Sequence, residues 1–572
     1  MSLMPPRRWW RRWTQLLRAA VVLGALMSAI ITPARMASAQ ADPAFGKRIY
    51  RDGLLPSGQP MRAVLQDDIA VDGTHLNCAA CHRWSGFGAT EGAAFVPPIT
   101  AGALYHPRDL NRADLFRKMY QEVQPKTRWL RARDPRVRPA YTDETLRIAL
   151  REGQDPTGRV LDPLMPRYQL SDDDIGHLIA YLKTLATTPA PGVDAEVIHF
   201  ATVITEGVAA APREAMLDVM HAYLQRKNAD TDAKRKRTGF SLYYKDEFVG
   251  AYREWKLHVW NLTGPGHSWR AQLDAYYRAQ PVFAMLSSIG TGRWEPVHMF
   301  CEEAEVPCLF PHTSLPGISS VGAYSFYFSK GLSGAAQALA HYLSATRDGP
   351  VVQVYRDHAS GRVPAQALRQ ALHGNPNISL RDDALSRDAS LTAGFWQRLA
   401  QQDPAAVWVL WLNAADMDTL VTAAESIEPL PQLYLPASLI PTLSASWPPH
   451  LDARLFFVYP YTLPDQTLPR RYRVRAWLRS RRLALTHERL QLNTYFALSI
   501  ADHALVHLVE HFSRDYFMES IEHETENALN PGVYPHLSLG PGQRFASKGS
   551  YMVQLSATAP GGLQAVSGWI VP

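Results

Sequence analysis

The stretch Cys78-Ala79-Ala80-Cys81-His82 decides how the chain is read, because its spacing alone dictates a covalent chemistry. Two cysteines three positions apart on a helical turn can each form a thioether with a vinyl group of one haem, while the adjacent imidazole turns onto the iron. This is the attachment pattern of a c-type haem. The competing reading is a redox-active pair or half of a zinc site. A zinc site would need a second pair of this spacing, and Cys301 and Cys308 lie more than two hundred residues away at a different one.

Toward the N-terminus, residues 1–39 hold Arg7, Arg8, Arg11, Arg12, Arg18 and Arg35 with no acid, an apolar run over 19–31, and Ala37-Ser38-Ala39 as a small-x-small cleavage site. The segment reads as a cleavable signal peptide. Its apolar run is short for a bilayer core, which disfavours a retained anchor. Export suits haem attachment, since both cysteines must be delivered reduced outside the cytoplasm. The expected location is the periplasm, with membrane contact only during export.

With 572 residues the chain is too long for one ordinary core, so two or three domains are expected. Its formal charge of +6 resides in the leader, and the rest balances 53 basic against 53 acidic residues. Nucleic-acid binding has no support in that balance.

Around the haem motif, residues 40–186 form a first domain. Gly46 and Tyr50 share one face of a short helix starting at Pro43, and a turn-rich insert precedes Cys78. Residues 83–99 read as loop, and 110–123 and 142–151 as helices. A rigid segment, Asp162-Pro163-Leu164-Met165-Pro166-Arg167-Tyr168, sets a methionine between two prolines. In the closing helix Ser171 can cap, Asp174 sits three positions later, and Ile175, Leu178, Ile179, Leu182 and Leu185 form the apolar stripe. Tyr181 falls where it can pack over Gly46, and His177 reads as a surface residue. A thioether is a soft, neutral donor that favours reduced iron, so Met165 suits the sixth position. Met119, His75, His106 and His177 are the other side chains able to take it.

In that order, these elements resemble a class I cytochrome c, an all-α domain. The resemblance implies one covalent haem c held by Cys78 and Cys81, with His82 and Met165 as the iron ligands, and electron transfer. The insert before Cys78 and the separation of 83 positions from His82 to Met165 exceed what the smallest members of the family show.

Residues 187–193 have the composition of a linker. From 194 to 572, short apolar runs (197–204, 257–262, 282–286, 351–355, 406–411, 455–459) alternate with amphipathic helices such as 213–227 and 269–278, which predicts largely parallel sheets with helices on both faces. This half is similar to a type I periplasmic binding protein of the branched-chain amino-acid class, through the order of elements around 283–317 and 324–340, the Gly349-Pro350-Val351-Val352 strand start, and the segment 534–551. The resemblance implies two α/β lobes closing on a small solute. It places first-lobe contacts at Ser287, Ser288, Thr313 and Ser314, and second-lobe contacts at Asp357, Ser360 and Asn413. Amino-acid binders of this class set an acid after a second-lobe strand to meet the ammonium, and Tyr434-Leu435-Pro436-Ala437-Ser438 supplies none.

Cys301 and Cys308 are expected to pair as a disulfide in an oxidising compartment. His503, His507 and His511 recur every four residues, a spacing that could ligate a metal or simply mark a solvated helix face. No Ser-His-Asp set, phosphate loop or paired-carboxylate motif stands out. The expectation is a non-enzymatic electron carrier fused to a binding module, with a periplasmic dehydrogenase or another cytochrome as redox partner. Two alternatives remain: a receptor for an ABC-type transporter with the haem as sensor or accessory, and a peroxidase-type enzyme, which would need a displaceable sixth ligand.

Overall fold

The structure, a computed structural model, describes residues 41–65, 69–91, 94–108, 138–236, 253–317, 322–440, 447–466, 469–508, 511–525 and 530–572. The leader, the expected helix over 110–123 and Met119 lie outside these residues. The chain divides into two compact units, Met1–Leu185 and Ala186–Pro572.

In the first unit, helix α1 (Pro43–Asp52) starts where Asp42 accepts the Ala44 N–H at 2.8 Å and stops at Gly53, whose φ of 69° is the left-handed conformation that suits glycine. Its buried face, Gly46, Ile49 and Tyr50, lies on the closing helix, with the Tyr50 and Tyr181 rings 5.3 Å apart. That closing helix, Asp172–Leu182, opens with the reciprocal cap between Ser171 and Asp174 that the sequence predicts. His177 departs from its expected place on the surface. It is buried, accepts the Asp42 N–H at Nδ1 (2.8 Å) and meets the Phe45 ring edge to face.

The unit is not all-α. The insert before Cys78 makes a hairpin, β1 (Arg62–Leu65) and β2 (Ile69–Asp72), and β1 also pairs antiparallel with β5 (Arg167–Tyr168), directly after Met165. A second ribbon joins β3 (Ala89–Glu91) to β4 (Ala94–Val96). The insert supplies unpaired backbone groups next to those of 167–168, and the ladder satisfies both.

Residues 187–193, expected as linker, are fastened to the second unit: the Ala190 N–H donates to Phe512 O at 2.8 Å, and Gly192 O accepts from His199 at 2.8 Å. The second unit carries two sheets. The first is wholly parallel, in the order β10 (Ser325–Phe326), β9 (Cys308–Leu309), β8 (Ala284–Leu286), β6 (Val197–Thr205), β7 (Glu254–Leu262). The second runs parallel through β12 (Ile378–Leu385), β11 (Gly349–Arg356), β13 (Val407–Trp411), β14 (Leu433–Pro436) and β15 (Leu455–Tyr459). It ends in antiparallel β16 (Tyr551–Leu555) and β17 (Leu563–Ala565).

Helices cover both faces of the second sheet, so its central strands β13, β14 and β15 are apolar throughout, whereas edge strand β12 carries Arg381, Asp382 and Asp383. Val352, Val354, Trp408 and Leu410 enter one core, and Val351, Tyr355, Val407 and Val409 enter the other. The chain passes between the sheets three times. It leaves the first after β10 through helix Gly331–Thr346, returns after β15 through helices Pro469–Ser480 and Glu488–Leu508, and crosses again to β16. Phe496, on the returning helix, packs on Phe310 and Phe328 beside the first sheet. The helix Arg514–Glu524 is pinned by Arg514, whose guanidinium donates to the carbonyls of Pro191, Val282, Phe283, Ala304 and Glu305 and to the Tyr277 hydroxyl. Among the described residues no helix is long and apolar enough to cross a membrane.

Candidate functional site

Residues Cys78–His82 form a single helical turn capped by Asn77, whose side chain accepts the Ala80 N–H at 2.8 Å. The turn ends at Arg83 with φ 65°, and the Tyr50 hydroxyl holds that exit by donating to Arg83 O at 2.6 Å. Cys78 is buried, and burial pushes its thiol up to about 12 against the opposing hydrogen bond from Tyr168. Cys81 is exposed. The pair thus spans from core to surface along one turn.

His82 is buried, and its Nδ1 lies 3.0 Å from Pro97 O. Burial lowers its pKa to about 4, the Pro97 carbonyl opposing, so the ring is neutral at pH 7. With Nδ1–H donating to that carbonyl, Nε2 is left as a lone-pair donor, the state a metal-ligating imidazole needs. Met165 is half-buried against the core that contains Cys78, Ala79 and Tyr168. Its loop is fixed: Met165 N–H donates to Asp162 O at 2.9 Å, Leu164 N–H to Asp162 Oδ1 at 3.0 Å, and the Arg167 guanidinium to the carbonyls of Met165 and Leu161. His75 and His106 are exposed, and Nδ1 of His177 is taken by Asp42. The donor set of two thiols on one turn, a tautomer-locked imidazole and a thioether fits a covalently held haem. The sequence reading missed the Tyr168 and Arg167 contacts, although both residues stand beside Met165 in the chain.

In the second unit a cleft of about 820 Å³ opens between the two sheets. Thr313 and Ser314 line it. Ser287 and Ser288 do not. Both are buried, Ser287 Oγ bonding to His312 Nε2 and Thr494 Oγ1 (3.0 Å each) and Ser288 Oγ accepting the Val203 N–H at 2.9 Å. Their hydroxyls are consumed by the packing beneath the cleft floor. The expected second-lobe contacts also lie away from it: Asp357 pairs with Arg362, Ser360 meets His358, and Asn413 caps helix Ala414–Ala424. The second sheet's side is lined instead by Ser438, Val458 and Pro460, and more of the wall comes from segments 489–493 and 534–550.

The disulfide is not present. Cys301 and Cys308 are free and buried, one in the last turn of helix Glu295–Glu303 and the other starting β9, with the Cys301 thiol 3.8 Å from the Met285 sulfur. The histidine row is also broken, because His511 is not helical, whereas His503 and His507 lie in the helix Glu488–Leu508. His507 faces Glu524 at 3.2 Å, and among the described residues no cluster of three His, Cys, Asp or Glu side chains could hold a metal.

Residues 72–186 match the family model for Cytochrome c, so a cytochrome c domain occupies that stretch, and the family implies a haem cofactor. Solved structures similar to the chain include ABC-transporter substrate-binding proteins, several of the branched-chain amino-acid class. A branched-chain amino-acid ABC transporter protein from Thermus thermophilus with bound valine is 13% identical, with a TM-score of 0.48, over 66% of this chain and 98% of that one. A fatty acid ABC transporter substrate-binding protein from Thermomonospora curvata is 13% identical, with a TM-score of 0.47, over 67% and 95%. A possible leucine/isoleucine/valine-binding protein from Rhodopirellula baltica is 16% identical, with a TM-score of 0.47, over 67% and 98%. No curated protein matches.

Proposed function

We propose that the chain is a periplasmic c-type cytochrome fused to a solute-binding module, and that it relays single electrons to or from a redox protein such as a periplasmic dehydrogenase. Cys78 and Cys81 would hold one haem, His82 and Met165 would supply the ligands to its iron, and residues 1–39 would be removed on export. The observation that carries it is the His82 ring: buried, neutral, and held through Nδ1 by Pro97 O so that Nε2 alone can bind a metal.

When bound, the haem supplies a one-electron change at iron. The chain's residues set the conditions around it. Cys78 and Cys81 fix the group on one turn, Pro97 O orients the imidazole, and Arg167 and Asp162 hold the loop that presents the Met165 sulfur. Two neutral donors held this way would favour reduced iron.

The test is optical. The oxidised protein should show the weak red-edge band of thioether-to-iron charge transfer, lost in Met165→Ala with a drop in reduction potential. If the intact protein has no such band, Met165 is not the ligand.

A further inference from the structure

The cleft of the second unit has a composition that names a ligand class. Among the described residues no Asp or Glu lines it, whereas Lys330, Arg489, Arg544 and Lys548 do. Two of these cations are already committed. Arg544 pairs with Glu522 at 2.8 Å and also donates to Gly322 O, and Lys548 donates to the carbonyls of Ser538 and Phe545. Lys330 reaches only Gln337 Oε1 at 3.3 Å, and Arg489 lies over the Tyr461 ring at 4.2 Å without a carboxylate partner. Both are exposed toward the cleft. An ammonium group entering it would find no lining Asp or Glu side chain among the described residues and would meet two cationic side chains, a costly combination.

The wall beside Arg489 is aromatic. Phe328 stacks on Tyr534 with centroids 5.5 Å apart and planes 15° from parallel, and Tyr461 adjoins Tyr534 at 5.6 Å. Two buried polar atoms at this lining have no hydrogen-bond partner, Asn493 Oδ1 and Ser547 Oγ, on side chains 6% and 2% exposed. The Tyr534 hydroxyl is already engaged by Ser329 and Asn493. At a cavity wall, a buried polar atom without a partner is open to a hydrogen bond from a ligand.

We infer that the cleft takes an amine-free aromatic carboxylate, its carboxylate on Arg489 and Lys330, its ring against Tyr461 and Tyr534, and a hydroxyl donated to Asn493 Oδ1. This rests on reading the second unit as a solute-binding module. A flat ring suits the stacked wall, and a guanidinium is the group best shaped for a carboxylate.

The test is calorimetric titration of the full-length, haem-loaded protein with 4-hydroxybenzoate, benzoate, benzylamine and leucine. Saturable binding of 4-hydroxybenzoate is expected, with benzoate weaker through loss of the hydroxyl and neither amine-bearing probe binding. Arg489→Gln should weaken 4-hydroxybenzoate by about tenfold or more, with the haem spectrum and melting temperature unchanged. If leucine binds and the carboxylates do not, the ligand class is overturned and the module reading stands. If none of the four binds, both fall while the haem assignment, read optically, is untouched. An affinity unaltered by Arg489→Gln removes the proposed carboxylate contact and the inference with it.

Discussion

Gly46 lies directly against the carbonyl of His177: a methyl group at its Cα would sit 2.0 Å from that oxygen and 2.7 Å from the Tyr181 Cβ. Both obstacles belong to backbone or to the root of a side chain, so neither can swing away. Gly46→Ala should therefore force the two helices apart, at about 2–3 kcal/mol or more. Gly102→Ala, in the helix Ala101–Tyr105 where an added Cβ meets nothing within 4 Å, is the matched control and should be neutral or slightly stabilising. Thermal melts followed at the haem absorbance would separate the two. Equal melting temperatures would refute the close contact.

Arg514 gives the second unit a point of particular sensitivity. Its side chain satisfies five main-chain carbonyls, so Arg514→Met would leave buried acceptors unpaired and cost about 3 kcal/mol or more. Lysine has one ammonium where arginine has a planar fork, so Arg514→Lys should recover little. Urea unfolding of the second unit would show the loss. A lysine variant as stable as the parent would mean the fork is not needed.

Acid should weaken the second unit through Glu488. Burial alone would raise this carboxyl, but hydrogen bonds and charge from Arg475 (2.5 Å) and Arg471 (2.9 Å) outweigh it and hold the pKa at about 2. A depressed carboxyl contributes fully above its ordinary value near 4.5, and the contribution fades as pH falls from there through about 2. With partial exposure its worth is about 1–2 kcal/mol. Glu488→Gln should lower stability at pH 7 and flatten the decline between pH 4.5 and 2. A parallel decline in parent and variant would exclude this pair as the cause.

Thiol counting tests haem attachment without reference to any activity. The chain has four cysteines. Unfolded haem-loaded protein should titrate two thiols, Cys301 and Cys308, because two thioethers consume Cys78 and Cys81. Folded apoprotein should label quickly at exposed Cys81 alone. Four reactive thiols in the loaded, unfolded protein would refute covalent attachment, and none would show that Cys301 and Cys308 are joined after all.

What the sequence made legible was local. The reciprocal cap of Ser171 and Asp174 and six of the twelve strands of the second unit follow from spacing within a dozen residues, and the pairing of Tyr181 with Gly46 from the pattern on each of their two helices. What it hid was sidedness and long-range pairing. The β1 to β5 ladder joins residues about a hundred positions apart, with neither segment strongly patterned. Ser287 and Thr313 both follow short apolar runs, yet one hydroxyl bonds to Thr494 beneath the cleft and the other lines it. The orphaned oxygen of Asn493 had no sequence signal, since its helix reads as an ordinary apolar one.

The three passages between the sheets fix when this unit can be completed. Phe310 and Phe328 wait for Phe496, and Tyr327 takes its backbone partners from Arg544 and Ala546, more than two hundred residues later. A chain still emerging, or one truncated before residue 488, holds a built first sheet with an uncovered aromatic flank. Such a fragment is a candidate for clumping rather than a smaller working domain. The last segments to be synthesised are therefore the ones that make the earliest strands soluble.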